Sequence, residues 1–226
     1  RAARRLLGLR VVEHGRPARA RPLLIAANHV SWLDIVVLGS LMPLSFVAKA
    51  EVAGWPAFGF LARMQRSVFV DRTRRTATAA AATAIASRLA KGDPMVLFAE
   101  GTSSNGNEVK PFRTALLGAA RQALAGDEVA TVQPLAIAYT RLGGIPLGRR
   151  RRPHVAWYGD MDLAPHLWRL ICGEGLDAEV SWGRPIPLGP GDDRKDAAAR
   201  AEAAVRRLAA AAIAGRIDAV RDQLGE

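Results

Sequence analysis

The stretch Asn28-His29-Val30-Ser31-Trp32-Leu33-Asp34 follows the apolar run Leu23-Leu24-Ile25-Ala26-Ala27 with no loop between them. A short apolar run ending in polar residues reads as a buried strand that hands over to a helix. At that junction His29 and Asp34 stand five residues apart and supply a base with an orienting carboxylate. On a regular helix, positions i and i+5 lie about 140° apart and about 7.5 Å along the axis. A direct hydrogen bond therefore requires His29 at or before the first turn, with Asp34 inside the helix. Asn28 ends the apolar run and Ser31 is the expected N-cap, so the sequence permits this placement.

Outward from this stretch the chain alternates strand and helix. Strands are expected at 22–27, 45–48, 67–71, 94–99, 131–139, 154–158 and 178–183, from short apolar runs bounded by Gly, Pro or charge. An alanine-rich helix over 74–91 carries Ile85 and Leu89 and stops at Gly92 before Pro94. A second, over 112–125, carries Leu116, Leu117, Ala120 and Leu124 and ends at Gly126. The segment 193–224 reads as one amphipathic helix with Val205, Leu208, Ile213, Ile217, Val220 and Leu224 on its apolar side. Such alternation argues for an α/β fold with helices covering a sheet and leaves open whether every strand is parallel; a mixed, largely parallel sheet flanked by helices is the expectation. The 226 residues suit a single domain over 22–226, preceded by a basic segment over 1–21 that is expected to meet a membrane.

The charge is lopsided. A net +11 is concentrated in residues 1–22, with seven arginines against Glu13, in residues 63–75, with five against Asp71, and in Arg149 to Arg152. Clustered basic charge calls for an anionic partner: a bilayer surface, nucleic acid or an acidic carrier protein. Leu6, Leu7 and Leu9 sit among Arg4, Arg5 and Arg10, and Leu167-Trp168-Arg169-Leu170 repeats the device, which suits a membrane interface. No run of 18 or more apolar residues is present, so no membrane-spanning helix is expected. The chain starts at Arg1 without methionine, which points to a preceding segment: a signal, an anchor or a disordered start. One cysteine, Cys172, excludes an intramolecular disulfide, and its apolar neighbours make it an expected buried thiol.

A second polar block, Phe98-Ala99-Glu100-Gly101-Thr102, ends another expected strand about 70 residues later. Together the two blocks resemble the glycerolipid acyltransferase family typified by lysophosphatidic acid acyltransferase, which carries Asn-His-x4-Asp and then Phe-x-Glu-Gly-Thr. Three further segments resemble family blocks in the same order. They are Phe46-Val47-Ala48-Lys49-Ala50-Glu51-Val52, Val68-Phe69-Val70-Asp71-Arg72 and Val132-Gln133-Pro134-Leu135-Ala136-Ile137-Ala138. The resemblance implies His29 as base and Asp34 as its partner. It places Asn28, Ser31, Lys49, Arg72, Glu100, Gly101, Thr102 and Ser103 in the substrate-binding site. It also implies a membrane-associated enzyme at the cytoplasmic face of a bacterial inner membrane, with no cofactor and an acyl thioester of coenzyme A or acyl carrier protein as co-substrate. Membrane lipids and an anionic bilayer surface are the implied partners, with acyl carrier protein a candidate and nucleic acid not expected.

There are two departures from the family pattern. Ala99 replaces the usual proline, and Ser103 stands where members that take a phosphate acceptor commonly have arginine. An arginine fork is the natural clamp for a phosphate monoester. Its absence, with Tyr139-Thr140-Arg141-Leu142 and Trp157-Tyr158-Gly159-Asp160-Met161-Asp162, resembles the bacterial subgroup that acylates lyso-ornithine lipid. Lysophosphatidic acid is the alternative acceptor, and a non-catalytic basic membrane-binding module is the alternative from another class.

The chain has no Gly-x-Ser-x-Gly elbow, which leaves direct transfer rather than a covalent acyl-enzyme. Backbone N–H groups at the start of the helix after Asn28 are the expected oxyanion donors. A zinc hydrolase is disfavoured because His14, His29, His154 and His166 lack ligand spacing. No P-loop or Gly-x-Gly-x-x-Gly supports nucleotide binding, and no zinc-finger or aromatic-rich pattern supports nucleic-acid binding.

Overall fold

The computed structural model describes residues 7–49, 53–54, 59, 67–70, 75–114, 117–124 and 128–225. Strand β2 (Leu23–Ala27) is buried at every position. Leu23, Ile25 and Ala27 face one apolar cluster while Leu24 and Ala26 face the other. A strand covered on both faces reads as a continuous apolar run, which is why this one is legible. Beside it lie β5 (Met95–Phe98) and β6 (Ala130–Leu142), both parallel to it. The remaining strands are β1 (Leu9–His14), β3 (Ser45–Lys49), β4 (Val68–Val70), β7 (Ile145–Pro146), β8 (Leu176–Trp182) and β9 (Ile186–Leu188). The order is β1-β8-β6-β2-β5-β3-β4, with β7 and β9 also paired to β6. Along this path every neighbouring pair is parallel except β6 and β8.

Helices cover both faces. On one side are α2 (Arg75–Ala90), α3 (Gly118–Gln122) and α5 (Arg194–Ile213), whose Ile85, Leu89, Ala120, Val205 and Leu208 join Leu24, Leu97 and Val132. On the other, α1 (Leu33–Leu41) and α4 (Leu163–Ile171) pack over Ile25, Phe98, Ile137 and Trp182. The mixed, largely parallel α/β sheet expected from the sequence is the architecture found.

Several elements differ from expectation. Residues 9–14, read as part of the basic segment, form β1, an edge strand parallel to β8. Its exposed Arg10 and partly buried valines hide the strand pattern behind charge. The sheet therefore starts before residue 22, and residues 1–6 lie outside the described residues. The expected strand 154–158 is a 3-10 turn (Arg152–His154) followed by an irregular segment. Val155 and Ala156 are apolar because they plug the layer beneath β2's exit, where the Trp157 N–H donates to the Val30 carbonyl at 2.9 Å.

The expected helix over 112–125 is described only as Gly118–Gln122. Upstream, the Phe112 N–H donates to the Glu202 carboxylate and the Arg113 N–H to the Ala99 carbonyl, so tertiary partners hold that backbone. The long C-terminal helix breaks at Gly215, whose φ of +64° ends α5 before a 3-10 segment Ile217–Gln223. Cys172 is exposed, beyond the end of α4, rather than buried. Among the described residues no helix is long and apolar enough to cross a membrane.

Candidate active site

Because β2 and β5 are parallel with Ala27 opposite Phe98, the residues that follow each strand emerge side by side. Crevices at the carboxyl ends of such strands are where α/β sheets place ligands. Here the topology joins the two sequence blocks. The His29 N–H donates to Glu100 Oε1 at 2.8 Å across 71 residues of chain, and the Ser104 N–H donates to the His29 carbonyl at 2.8 Å. The His29 backbone is therefore gripped on both sides by the segment that leaves β5.

The His29 side chain is gripped too. Its Nδ1 lies 2.8 Å from Asp34 Oδ2, and its ring stacks on Phe98 with centroids 4.0 Å apart and planes 16° from parallel. Helix α1 starts at Leu33, so His29 precedes the first turn and Asp34 lies within it, as a direct bond requires. Asp34 is fully buried and accepts from every side. Val30 N–H and Ser31 N–H reach Oδ2 at 2.7 and 3.1 Å, and the Tyr139 hydroxyl reaches Oδ1 at 2.7 Å. Since Asp34 accepts, the His29 proton is assigned to Nδ1, leaving Nε2 as the nitrogen that takes a proton.

Tyr139 is the contact that motif reading misses. β2 pairs with β6 only as far as Leu135, so Ile137 and Tyr139 run past its end and beneath the His29 segment. Asn28 pins this crossing by donating through Nδ2 to the Ile137 carbonyl at 2.9 Å and accepting the Ile137 N–H on Oδ1 at 2.8 Å. Burial, and then the charge and hydrogen bond of Asp34, hold the Tyr139 phenol well above its ordinary pKa, so it stays a donor. The sequence signals are a tyrosine following the apolar run Leu135 to Ala138, since a buried hydroxyl needs a partner, and the Tyr139-Thr140-Arg141-Leu142 resemblance, which gives Tyr139 no role.

Glu100 is buried, and both its oxygens are occupied: Oε1 by the His29 N–H and Oε2 by the Lys110 N–H at 2.9 Å. Burial raises its pKa from 4.5 to about 7, with nearby Asp34 acting in the same direction. The two backbone donors and the Lys110 charge oppose the rise. Asn28, Ser31 and Glu100, expected in the substrate-binding site, are buried around His29, and Asn28 also lines the cavity beside Val30 and Ile137. Ser31 does not cap α1 through its side chain: its N–H goes to Asp34, while its buried hydroxyl has no hydrogen-bond partner among the described residues. The expected oxyanion donors at the helix start are also engaged, His29 by Glu100 and both Val30 and Ser31 by Asp34.

Thr102 is exposed beside this network, and Ser103 is buried with its carbonyl accepting from Lys110 Nζ at 2.8 Å. Gly101 adopts φ +74°, and a Cβ there would lie 2.8 Å from the Arg113 Cδ and Nε atoms. An exposed arginine therefore crosses the Glu-Gly-Thr turn from twelve residues beyond Gly101, a residue that motif reading passes over. Helix α4 closes the layer behind. Trp32 Nε1–H donates to Nδ1 of buried His166 at 3.0 Å, and burial lowers the His166 pKa, keeping the ring neutral. A cavity of about 290 Å³ lies between Val30, Asn107, Val109, Ile137 and α5, and His29 is not part of its lining. The Lys49 side chain and all of Arg72 lie outside the described residues.

The family model described as Acyltransferase matches residues 9–153. Lyso-ornithine lipid O-acyltransferase of Brucella abortus is 48% identical over 96% of this chain and 82% of its own length. The enzyme of the same name from Rhizobium meliloti is 44% identical over 96% of this chain and 75% of its own. Among solved structures, the 1-acyl-sn-glycerophosphate acyltransferase of Thermotoga maritima superposes with a TM-score of 0.60 at 22% identity, covering 90% of this chain and 72% of that one.

Proposed function

The chain belongs to the Acyltransferase family, and on that footing we propose that it moves a fatty acyl group from an acyl thioester to the hydroxyl of lyso-ornithine lipid. The observation that carries the chemistry is the buried Asp34 bonded to His29 Nδ1 at 2.8 Å. His29 Nε2 removes the proton of the acceptor hydroxyl as its oxygen attacks the thioester carbonyl. The tetrahedral intermediate collapses with loss of the thiolate, which takes the proton back from the imidazolium. Asp34 fixes the tautomer and stabilises that imidazolium. General base catalysis of this kind is worth about 10²–10⁴-fold. A thioester brings its own leaving group, so no covalent enzyme intermediate is required.

The choice of acceptor is supported by the similarity to the two lyso-ornithine lipid enzymes and by Ser103 where a phosphate-clamping arginine would stand. Exposed Thr102 and Arg113, beside the Glu-Gly-Thr turn, are the proposed headgroup contacts, and the resemblance to the family assigns Lys49 and Arg72 to the same acceptor site. The donor is an acyl thioester of coenzyme A or of acyl carrier protein, no cofactor takes part, and the reaction runs on the cytoplasmic face of a bacterial inner membrane. Labelled acyl thioesters offered with a panel of lysolipids, and products identified by mass spectrometry, test the assignment. Lyso-ornithine lipid is expected to be used at least as well as lysophosphatidic acid, and a strong preference for the latter contradicts it.

One observation favours lysophosphatidic acid as a second reading. The Arg113 guanidinium over Gly101 puts a cation at the third block even though Ser103 is not arginine. Arg113→Ala separates the two. If kcat/KM falls mainly for lysophosphatidic acid, Arg113 holds a phosphate; an equal fall for both acceptors makes it a general headgroup contact.

A further inference from the structure

One helix is apolar on both sides. In α4, Leu163, Leu167 and Leu170 pack on the core with buried His166, as an amphipathic helix requires. The opposite side, which should be polar, carries Ala164, Pro165, Trp168 and Ile171, and the chain continues into Cys172; all five are exposed. Trp168 is 69% exposed and Ile171, one turn on, 47%. Arg169 is the one charged residue of the helix, and it too is exposed. A helix that is hydrophobic all round belongs in a core or against lipid, and tryptophan with arginine is the usual composition of a lipid interface.

The sheet fixes which end of the fold α4 leads into. β6 is parallel to β2 and antiparallel to β8, which is parallel to β1. The carboxyl ends of β2, β5 and β6 and the amino ends of β8 and β1 therefore lie at one end of the sheet, the end that carries His29. Two bonds knit that end together: Gly143 N–H to the Gly175 carbonyl at 2.7 Å, and Leu176 N–H to the Gly8 carbonyl at 3.1 Å. The β6–β7 hairpin exposes Ile145, 57% accessible, beside this seam. Exposed Arg149, Arg150 and Arg151 follow on a segment tied to Asn107 and Val30. The C-terminal end of α4, exposed Ile145 and arginines with no ion pair among the described residues thus lie toward the end of the sheet that holds the base.

We infer that α4, with the β6–β7 hairpin, docks on an anionic lipid bilayer: Trp168, Ile171 and Ile145 enter the headgroup layer, while Arg149–Arg151 and Arg169 meet lipid phosphates. Through the Trp32–His166 bond the docked helix braces the turn that carries His29 and Asp34, so the base opens toward the surface from which a lysolipid is drawn. The inference rests on the acyltransferase reading for its choice of lipid as occupant.

The lone cysteine supplies the probe. The full chain, labelled at Cys172 with a polarity-sensitive fluorophore, is mixed with phosphatidylglycerol-containing or pure phosphatidylcholine vesicles. Emission is expected to shift blue with the anionic vesicles. The double variant Trp168→Ala/Ile171→Ser is expected to partition about 10- to 100-fold more weakly. Its turnover of a short-chain, water-soluble lysolipid should stay within about twofold of wild type, since it alters only exposed side chains. Vesicle binding unchanged in the double variant, or a Cys172 probe that stays water-like on bound protein, overturns the inference. A shift with an acidic carrier protein but not with vesicles makes α4 a protein-docking surface instead and also overturns it. Should neither protein turn over any lysolipid, the acyltransferase reading fails, while the partition ratio still decides the docking face.

Discussion

The His29 imidazole is held by contacts of different kinds: a carboxylate on Nδ1, an aromatic face, and hydrogen bonds to its own backbone N–H and carbonyl. Substitutions around it should therefore separate chemistry from shape. Asp34→Asn preserves volume but removes tautomer control, so kcat should fall strongly, by up to about 10⁴-fold as in other His-carboxylate pairs, with the fold retained. Tyr139→Phe deletes one buried donor to Asp34. It should reduce kcat about 3- to 10-fold and shift the pH–rate profile with little change in KM, from the roughly 1 kcal/mol of one hydrogen bond. An unchanged pH profile would show that Tyr139 only fills space.

Glu100 makes a prediction with a definite sign. Its pKa is raised from 4.5 to about 7, so the folded protein holds this proton more tightly than the unfolded chain does. That contribution to stability is complete below pH 4.5 and is lost as pH rises through 7, amounting to roughly 2–4 kcal/mol at about 1.4 kcal/mol per pKa unit. Urea midpoints across this range should fall more steeply for wild type than for Glu100→Gln. The same variant should lower kcat more than it raises KM, because Glu100 grips His29 and not the substrate; a pure KM effect would return it to the acceptor site.

At the scale of elements, the turn after β5 is the sensitive piece. Gly101→Ala places a Cβ at φ +74° and 2.8 Å from Arg113. It should cost about 1–2 kcal/mol in urea unfolding and displace the arginine, lowering kcat/KM as well. An unchanged midpoint and rate would show that the turn relaxes freely. Such elements were readable where a single local cause dominates: β2 as an all-apolar run, and α2 as an alanine-rich helix stopped by Gly92 and Pro94. Where tertiary contacts decide, periodicity misled. Val155 and Ala156 are apolar because they plug the layer beneath β2's exit. The backbone of Phe112 and Arg113 is held by Glu202 and Ala99 and not by a helix. A loose three-to-five spacing ran straight through the break at Gly215.

At the scale of the whole molecule, parallel pairing of β2 with β5 is what turns two distant motifs into one site. The base and its carboxylate were readable because six residues of sequence contain both. Tyr139, Arg113 and the Trp32–His166 brace were not, since each reaches the site only through chain crossings of 100 residues or so, or around a turn. The basic surface acts at this scale too. Binding to anionic vesicles should weaken as salt shortens the Debye length below about 8–10 Å, and salt-independent binding would assign the arginines to another partner.

The central claim, that His29 is the base of an acyl transfer to a lysolipid, is tested most directly by acyl-thioester turnover of folded His29→Ala against wild type in the same mixed micelles, with the lipid product identified by mass spectrometry. Wild type should form the acylated lipid and the variant should be nearly inactive while keeping its urea-unfolding free energy within about 1 kcal/mol of wild type. Substantial turnover by a folded His29→Ala protein would contradict the assignment of the base.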